Sequence, residues 1–172
     1  MPVHIIIDGY NLIRNYPPLS RVEEAEFSKG REGLLEWLSD YRRENNNPIT
    51  VVFDGGKGGG LTEERDIYKG IKILYSRLGQ TADEVIKRLV AREGEKTLVV
   101  TSDLELSIYC RYQGAGSIRS EEFARKIQEK NIEVNKGGIK EETLDALPKR
   151  KKGASYRLSK KAKRERKHWN HL

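Results

Sequence analysis

One cysteine, Cys110, stands in 172 residues. No internal disulfide can therefore staple the chain, which fits a reducing compartment and a fold held by its core. Cys110 itself reads as a small buried hydrophobe on a helix. Histidine is scarce too: His4, His168 and His171 are not spaced as a ligand set, and with one thiol they exclude a zinc finger or ribbon. No apolar run approaches the roughly 20 residues of a membrane helix. Met1-Pro2-Val3-His4 leads straight into a short apolar segment, without the basic stretch and long apolar core of a signal peptide. The expected location is the cytoplasm. At 36% hydrophobic and 34% charged, the composition is that of a soluble domain with an appendage.

The formal charge of +7 conceals two unlike parts. Of 33 basic and 26 acidic residues, eleven basic ones and a single acid, Glu165, lie within 149–172, leaving 22 basic and 25 acidic in the rest. The body is slightly acidic and the C-terminal segment strongly basic, the usual footprint of a nucleic-acid partner. An anionic membrane surface is the weaker alternative, because the segment lacks a large apolar face. The expected division is a folded domain over 1–135 and a basic extension over 136–172.

Short apolar runs alternate with helical spacing. Residues 3–7 predict a buried strand ended by Asp8-Gly9, and a loop containing Pro17-Pro18 follows. Leu34, Leu35, Leu38 and Tyr41 predict a helix from about Ser28 to Arg43, stopped by Asn45-Asn46-Asn47-Pro48. Further strands are expected at 49–53, 71–75 and 97–101, with a short fifth at Ser117-Ile118. The stretch Gly55–Gly60 is loop. Thr81-x-x-Glu84 has the form of a capping box opening a helix to about Arg92. Helices are also expected at 104–112, from Ser120 to about Lys130, over 141–147, and over 159–169 once a partner orders that segment. Alternation of this kind predicts a doubly wound, mainly parallel α/β sheet flanked by helices.

Four aspartates stand out against this pattern. Asp8, Asp54 and Asp103 follow apolar runs, and Asp83 lies in the first turn of a helix. Strand carboxyl ends in a parallel sheet share one edge, where ligands bind. Two unit charges ~4 Å apart repel by about 4 kcal/mol at an effective dielectric near 20, so a cluster of acids calls for a cation. Oxygen ligands select the hard ions Mg²⁺ and Mn²⁺. Each acid also has a plainer role, as a turn residue, a helix cap or a complement to the helix dipole. Three strand ends and a helix start in one small domain favour a shared site.

The run Ile5-Ile6-Ile7-Asp8-Gly9-Tyr10-Asn11-Leu12-Ile13 resembles the opening motif of NYN domains, a PIN-like nuclease group. Val51-Val52-Phe53-Asp54, Thr81-Ala82-Asp83-Glu84 and Val100-Thr101-Ser102-Asp103 match it in order and approximate spacing. The nearest subgroup is YacP-like, which includes a ribosome-associated bacterial endoribonuclease, and the resemblance covers roughly residues 3–130. It implies strand order 3-2-1-4-5, with the first and fourth strands adjacent. It also implies a Mg²⁺- or Mn²⁺-dependent endoribonuclease that hydrolyses RNA to leave a 5′-phosphate and a 3′-hydroxyl. Carried over, Asp8, Asp83 and Asp103 would be the main metal ligands, and Asp54 would ligate directly or through water. Asn11 would orient Asp8 or contact the phosphate. Thr101 and Ser102 would support a carboxylate or the phosphate, or else serve as strand and cap residues. Glu84 is the capping partner of Thr81.

RNA is the expected partner, mRNA on the ribosome in particular, with no membrane and no disulfide-linked partner. The cations available in the extension are Lys149, Arg150, Lys151, Lys152, Arg157, Lys160, Lys161, Lys163, Arg164, Arg166 and Lys167. Tyr156 and Trp169 are placed to stack on bases, and Lys57 in the glycine loop is a further candidate, although the loop lacks the Gly-Lys-Ser/Thr ending of a P-loop. If six to ten of these cations met phosphates, affinity would fall about 10³- to 10⁵-fold between 50 and 200 mM salt. Two rival readings remain. One is a non-catalytic RNA- or ribosome-binding adaptor. The other is a phosphatase or nucleotide-binding enzyme on a similar sheet; against the haloacid-dehalogenase type, Tyr10 stands where a second aspartate is wanted.

Overall fold

The computed structural model describes residues 2–56 and 60–136. Lys57, the expected helices over 141–147 and 159–169, and every candidate RNA contact from Lys149 to Trp169 lie outside the described residues. One sheet holds six strands: β1 (His4–Asp8), β2 (Ile49–Phe53), β3 (Glu64–Tyr68), β4 (Ile71–Tyr75), β5 (Thr97–Val100) and β6 (Gly116–Ile118). Their order is β3-β4-β2-β1-β5-β6, parallel throughout except for the β3–β4 hairpin. The five parallel strands follow the expected 3-2-1-4-5 order, and β3 is an addition at the edge.

Alternation along each strand sends neighbouring residues to opposite faces. One set, including Ile5, Ile7, Val51, Phe53, Ile73 and Val100, is buried with the helices α1 (Gly9–Arg14), α2 (Pro17–Ala25), α3 (Phe27–Glu44) and α6 (Ser120–Lys136). The other, Ile6, Val52 and Val99, is buried beneath α4 (Ala82–Glu93) and α5 (Leu104–Tyr112). By the same parity Asp8 continues the His4–Ile6 row, and Asp54 the Thr50–Val52 row. Both acids therefore stand at the carboxyl edge on the side that carries α4.

Two stretches depart from the sequence expectation. Residues 9–25, expected to be loop, form α1 and α2. Pro17 and Pro18 open α2 rather than preventing it, because the first helical positions need no amide donor and proline's fixed φ suits them. The strand β3 was not expected because Glu64-Arg65-Asp66-Ile67-Tyr68 is almost wholly exposed and has no buried alternation. Its turn uses Lys69 and Gly70 at φ 46° and 81°, the two positive values of a type I′ hairpin. Lys in the first of these positions hides the usual turn signal.

Candidate active site

The opening Asp-Gly-Tyr-Asn is built residue by residue around the end of β1. Asp8 caps α1: its Oδ1 accepts the Asn11 amide at 3.3 Å, and Oδ2 accepts the Thr101 hydroxyl at 3.4 Å. Gly9 lies against the buried Phe53 ring, where a Cβ would come within 2.4 Å of it; no larger residue fits without displacing the end of β2. Tyr10 meets the same ring edge-on at 5.1 Å between centroids. Asn11 ties three elements together. Its Oδ1 accepts the Ser102 amide at 2.8 Å and the Ser120 hydroxyl at 2.8 Å.

The other acids arrive from separate elements. Asp103 caps α5, its Oδ1 accepting the Leu106 amide at 2.8 Å, while its own amide donates to Thr101 Oγ1 at 3.1 Å. Thr101, fully buried, thus joins Asp8 to the Asp103 turn. Asp54 follows β2 and is exposed; its Oδ1 accepts the Gly56 amide at 2.9 Å and the Ser76 hydroxyl at 3.5 Å. Asp83 sits in the first turn of α4, which is opened by the expected capping box between Thr81 and Glu84. Ser102 donates from Oγ to Glu121 at 2.7 Å and accepts the Ser120 amide at 3.1 Å, so its described role is to fasten the start of α6.

The electrostatics couple these acids. Burial pushes the Asp8 carboxyl up to about 6, and the charges of Asp83 and Asp103 push it the same way, against the Asn11 and Thr101 hydrogen bonds. Asp83 is raised by burial and then by Asp103, with smaller contributions from Glu105 and Asp54, and Lys87 opposes them. Among the described residues none donates a hydrogen bond to the Asp83 carboxylate. The nearby Cys110 thiol is pushed up to about 12, chiefly by burial, which leaves it an inert thiol.

Asp8, Asp83 and Asp103 thus act on one another electrostatically, and Asp54 reaches the group through Asp83. As they stand, no three His, Cys, Asp or Glu side chains among the described residues close on a point that could hold a metal ion. The donor chemistry nonetheless fits a hard divalent cation: carboxylates from four elements, mutually repelling, on one edge of the sheet. Three supporting residues were not foreseen. Lys87 lies beside the acids and 3.9 Å from Glu105; its i+4 spacing from Asp83 is a signal the sequence carries. Ser76 and Ser120 are buried hydroxyls with no pattern to distinguish them from ordinary strand-end and helix-start serines.

A family model described as a YacP-like NYN domain matches residues 5–171, continuing past the last described residue. The uncharacterized protein YacP of Bacillus subtilis (strain 168) is 26% identical over 165 residues, covering 87% of this chain and 96% of that one. The crystal structure of Rae1 (YacP) from the same organism superposes with a TM-score of 0.62 at 28% identity, over 78% of this chain and 79% of that one. A mutant form of that protein gives 0.67 at 23% identity, over 79% and 80%, a likeness of fold. Among the described residues no helix is long and apolar enough to cross a membrane.

Proposed function

The chain belongs to the YacP-like NYN domain family, and from that premise we propose that it is a metal-dependent endoribonuclease. The observation that carries the reading is the coupling of Asp8, Asp83 and Asp103, brought from β1, α4 and the β5–α5 turn to one edge of the sheet. Asp8, Asp83 and Asp103 would hold Mg²⁺ or Mn²⁺, with Asp54 at the margin. A bound divalent cation supplies charge neutralisation and Lewis-acid assistance to phosphodiester hydrolysis. The protein's own part is positional. Thr101 keeps Asp8 and the Asp103 turn in register, and Asn11 fixes the Ser102 amide and the start of α6 beside them. Lys87, beside Asp83, would meet a substrate phosphate. The basic segment 149–172 would hold RNA, or the ribosome, by contacts to phosphates.

Purified full-length protein should cleave RNA with Mg²⁺ or Mn²⁺ and stop with EDTA. Asp8→Asn and Asp103→Asn should each abolish cleavage without unfolding the chain. Metal-dependent cleavage retained in the double variant would refute the mechanism. A second reading, a non-catalytic RNA or ribosome adaptor, is favoured by one feature: no three of the acids close on a common ion as described. RNA binding with no cleavage under any divalent ion would select it.

A further inference from the structure

A concavity lined by none of the four acids lies on the α4 side of the sheet. It holds about 880 Å³ between α4 and the β3–β4 hairpin, floored by Thr50, Lys72 and Leu74. α4 lies over β1 and β2; of the β4 residues on this side, Leu74 is half-buried against the core beneath α4 and Lys72 is exposed. The upper end is formed by Arg77 and Gln80. Arg77 follows Ser76, whose hydroxyl donates to Asp54, and Gln80 lies three residues before Asp83. The foot is at His4, Arg92 and Glu93, about 14 Å below Asp83 by the rise of an α-helix.

The charge in this groove is arranged unevenly. Glu63 is neutralised by Arg88 through two hydrogen bonds, at 2.6 and 2.8 Å. Glu93 is held by His4 at 2.5 Å and by Arg92 at 2.9 Å. That leaves Lys72 and Arg77 exposed and with no acid partner among the described residues, with Arg65 beside them and Asp66 the one unpaired acid of the wall. A polyanion meets repulsion at the acidic rim, so its flanking phosphates need cations close by. Beyond Lys87, which stands beside the acids, the cations of the groove without an acid partner among the described residues include Arg77 and Lys72.

Resting on the ribonuclease reading above, we propose that this groove is a track for single-stranded RNA, leading the strand from the acidic rim down the α4 side of the sheet. Lys72 and Arg77 contact phosphates of one strand. The groove has few groups fixed for reading base edges, so the track grips backbone and tolerates sequence.

The test uses the full-length chain and an unstructured RNA long enough to pass from the rim to the foot of the groove. Binding is followed by fluorescence anisotropy in EDTA, over a salt series. Lys72→Glu/Arg77→Glu is compared with Arg21→Glu/Lys96→Glu, a pair with the same charge change at exposed sites outside the groove. All four side chains are exposed, so unfolding midpoints should not move. The groove variant should bind more weakly, and its slope of log K against log salt should fall by about 1.4, two single-strand phosphate contacts at ~0.7 each. Equal effects of the two pairs, or no effect of the groove pair, overturn the track. With Mg²⁺, the groove variant should lose more cleavage on long RNA than on a tetranucleotide. A wild type that never cleaves, yet binds RNA through Lys72 and Arg77, would sink the nuclease reading and leave the track standing.

Discussion

Asp8 sits in a position that works against folding. Its carboxyl is raised from 3.8 to about 6, first by burial and then by neighbouring acids, which at neutral pH destabilises the metal-free protein by on the order of 2–3 kcal/mol. The sign follows from linkage. The folded value lies above the unfolded one, so the folded state binds the proton more tightly; the resulting stability is full below pH ~4 and is lost as pH rises through about 6. Asp8→Asn keeps the cap on α1, since Asn serves there as well as Asp, and removes the charge. In EDTA, urea denaturation should find the variant no less stable than wild type at pH 7, with the difference shrinking towards pH ~4. A difference independent of pH would contradict the burial of this charge. Next to it, Gly9→Ala should destabilise by roughly 1–3 kcal/mol, as overpacking against an immobile ring does, measured by the same denaturation.

At the scale of elements, the site is a set of turns locked to one another. Asn11 binds α1 to the β5–α5 turn and to the start of α6 through one carbonyl oxygen. Asn11→Ala leaves the Ser102 amide and Ser120 hydroxyl without that acceptor, a loss of about 1–3 kcal/mol. Hydrogen exchange should show the amides of Ser102 and Asp103 losing protection first, while those of β1 and β5 keep theirs. Uniform loss across the sheet would mean that Asn11 serves global stability only. The parallel strands, α3, α4, α5 and the capping box were legible because buried runs and helical spacing leave marks in sequence. The α1–α2 stretch was hidden because proline marks both a turn and a helix start. The strand β3 was hidden because an exposed, charged edge strand has no core face to reveal it, charge there serving instead to deter pairing with other chains. The four aspartates were legible as strand and helix ends. Their mutual coupling, and the Thr101 and Asn11 bonds that organise them, depend on strands 90 residues apart in register, which spacing alone does not disclose.

The whole molecule combines an acidic rim with cations held elsewhere. The body carries 25 acidic and 22 basic residues, while 149–172 carries eleven basic ones and one acid. A body of that charge has little general attraction for RNA, so binding should depend steeply on the extension. Deleting 149–172 should weaken RNA binding and flatten its salt dependence, read by anisotropy over the same series; an unchanged slope would remove the extension from RNA contact. What joins these parts is the claim that Asp8, Asp83 and Asp103 act as one divalent-cation site. Titration calorimetry of Mn²⁺ into metal-free protein tests it most directly. Wild type should bind with a saturable heat that Asp8→Asn/Asp103→Asn loses, although that variant remains folded. Equal Mn²⁺ binding by the two proteins would show that the ion sits elsewhere.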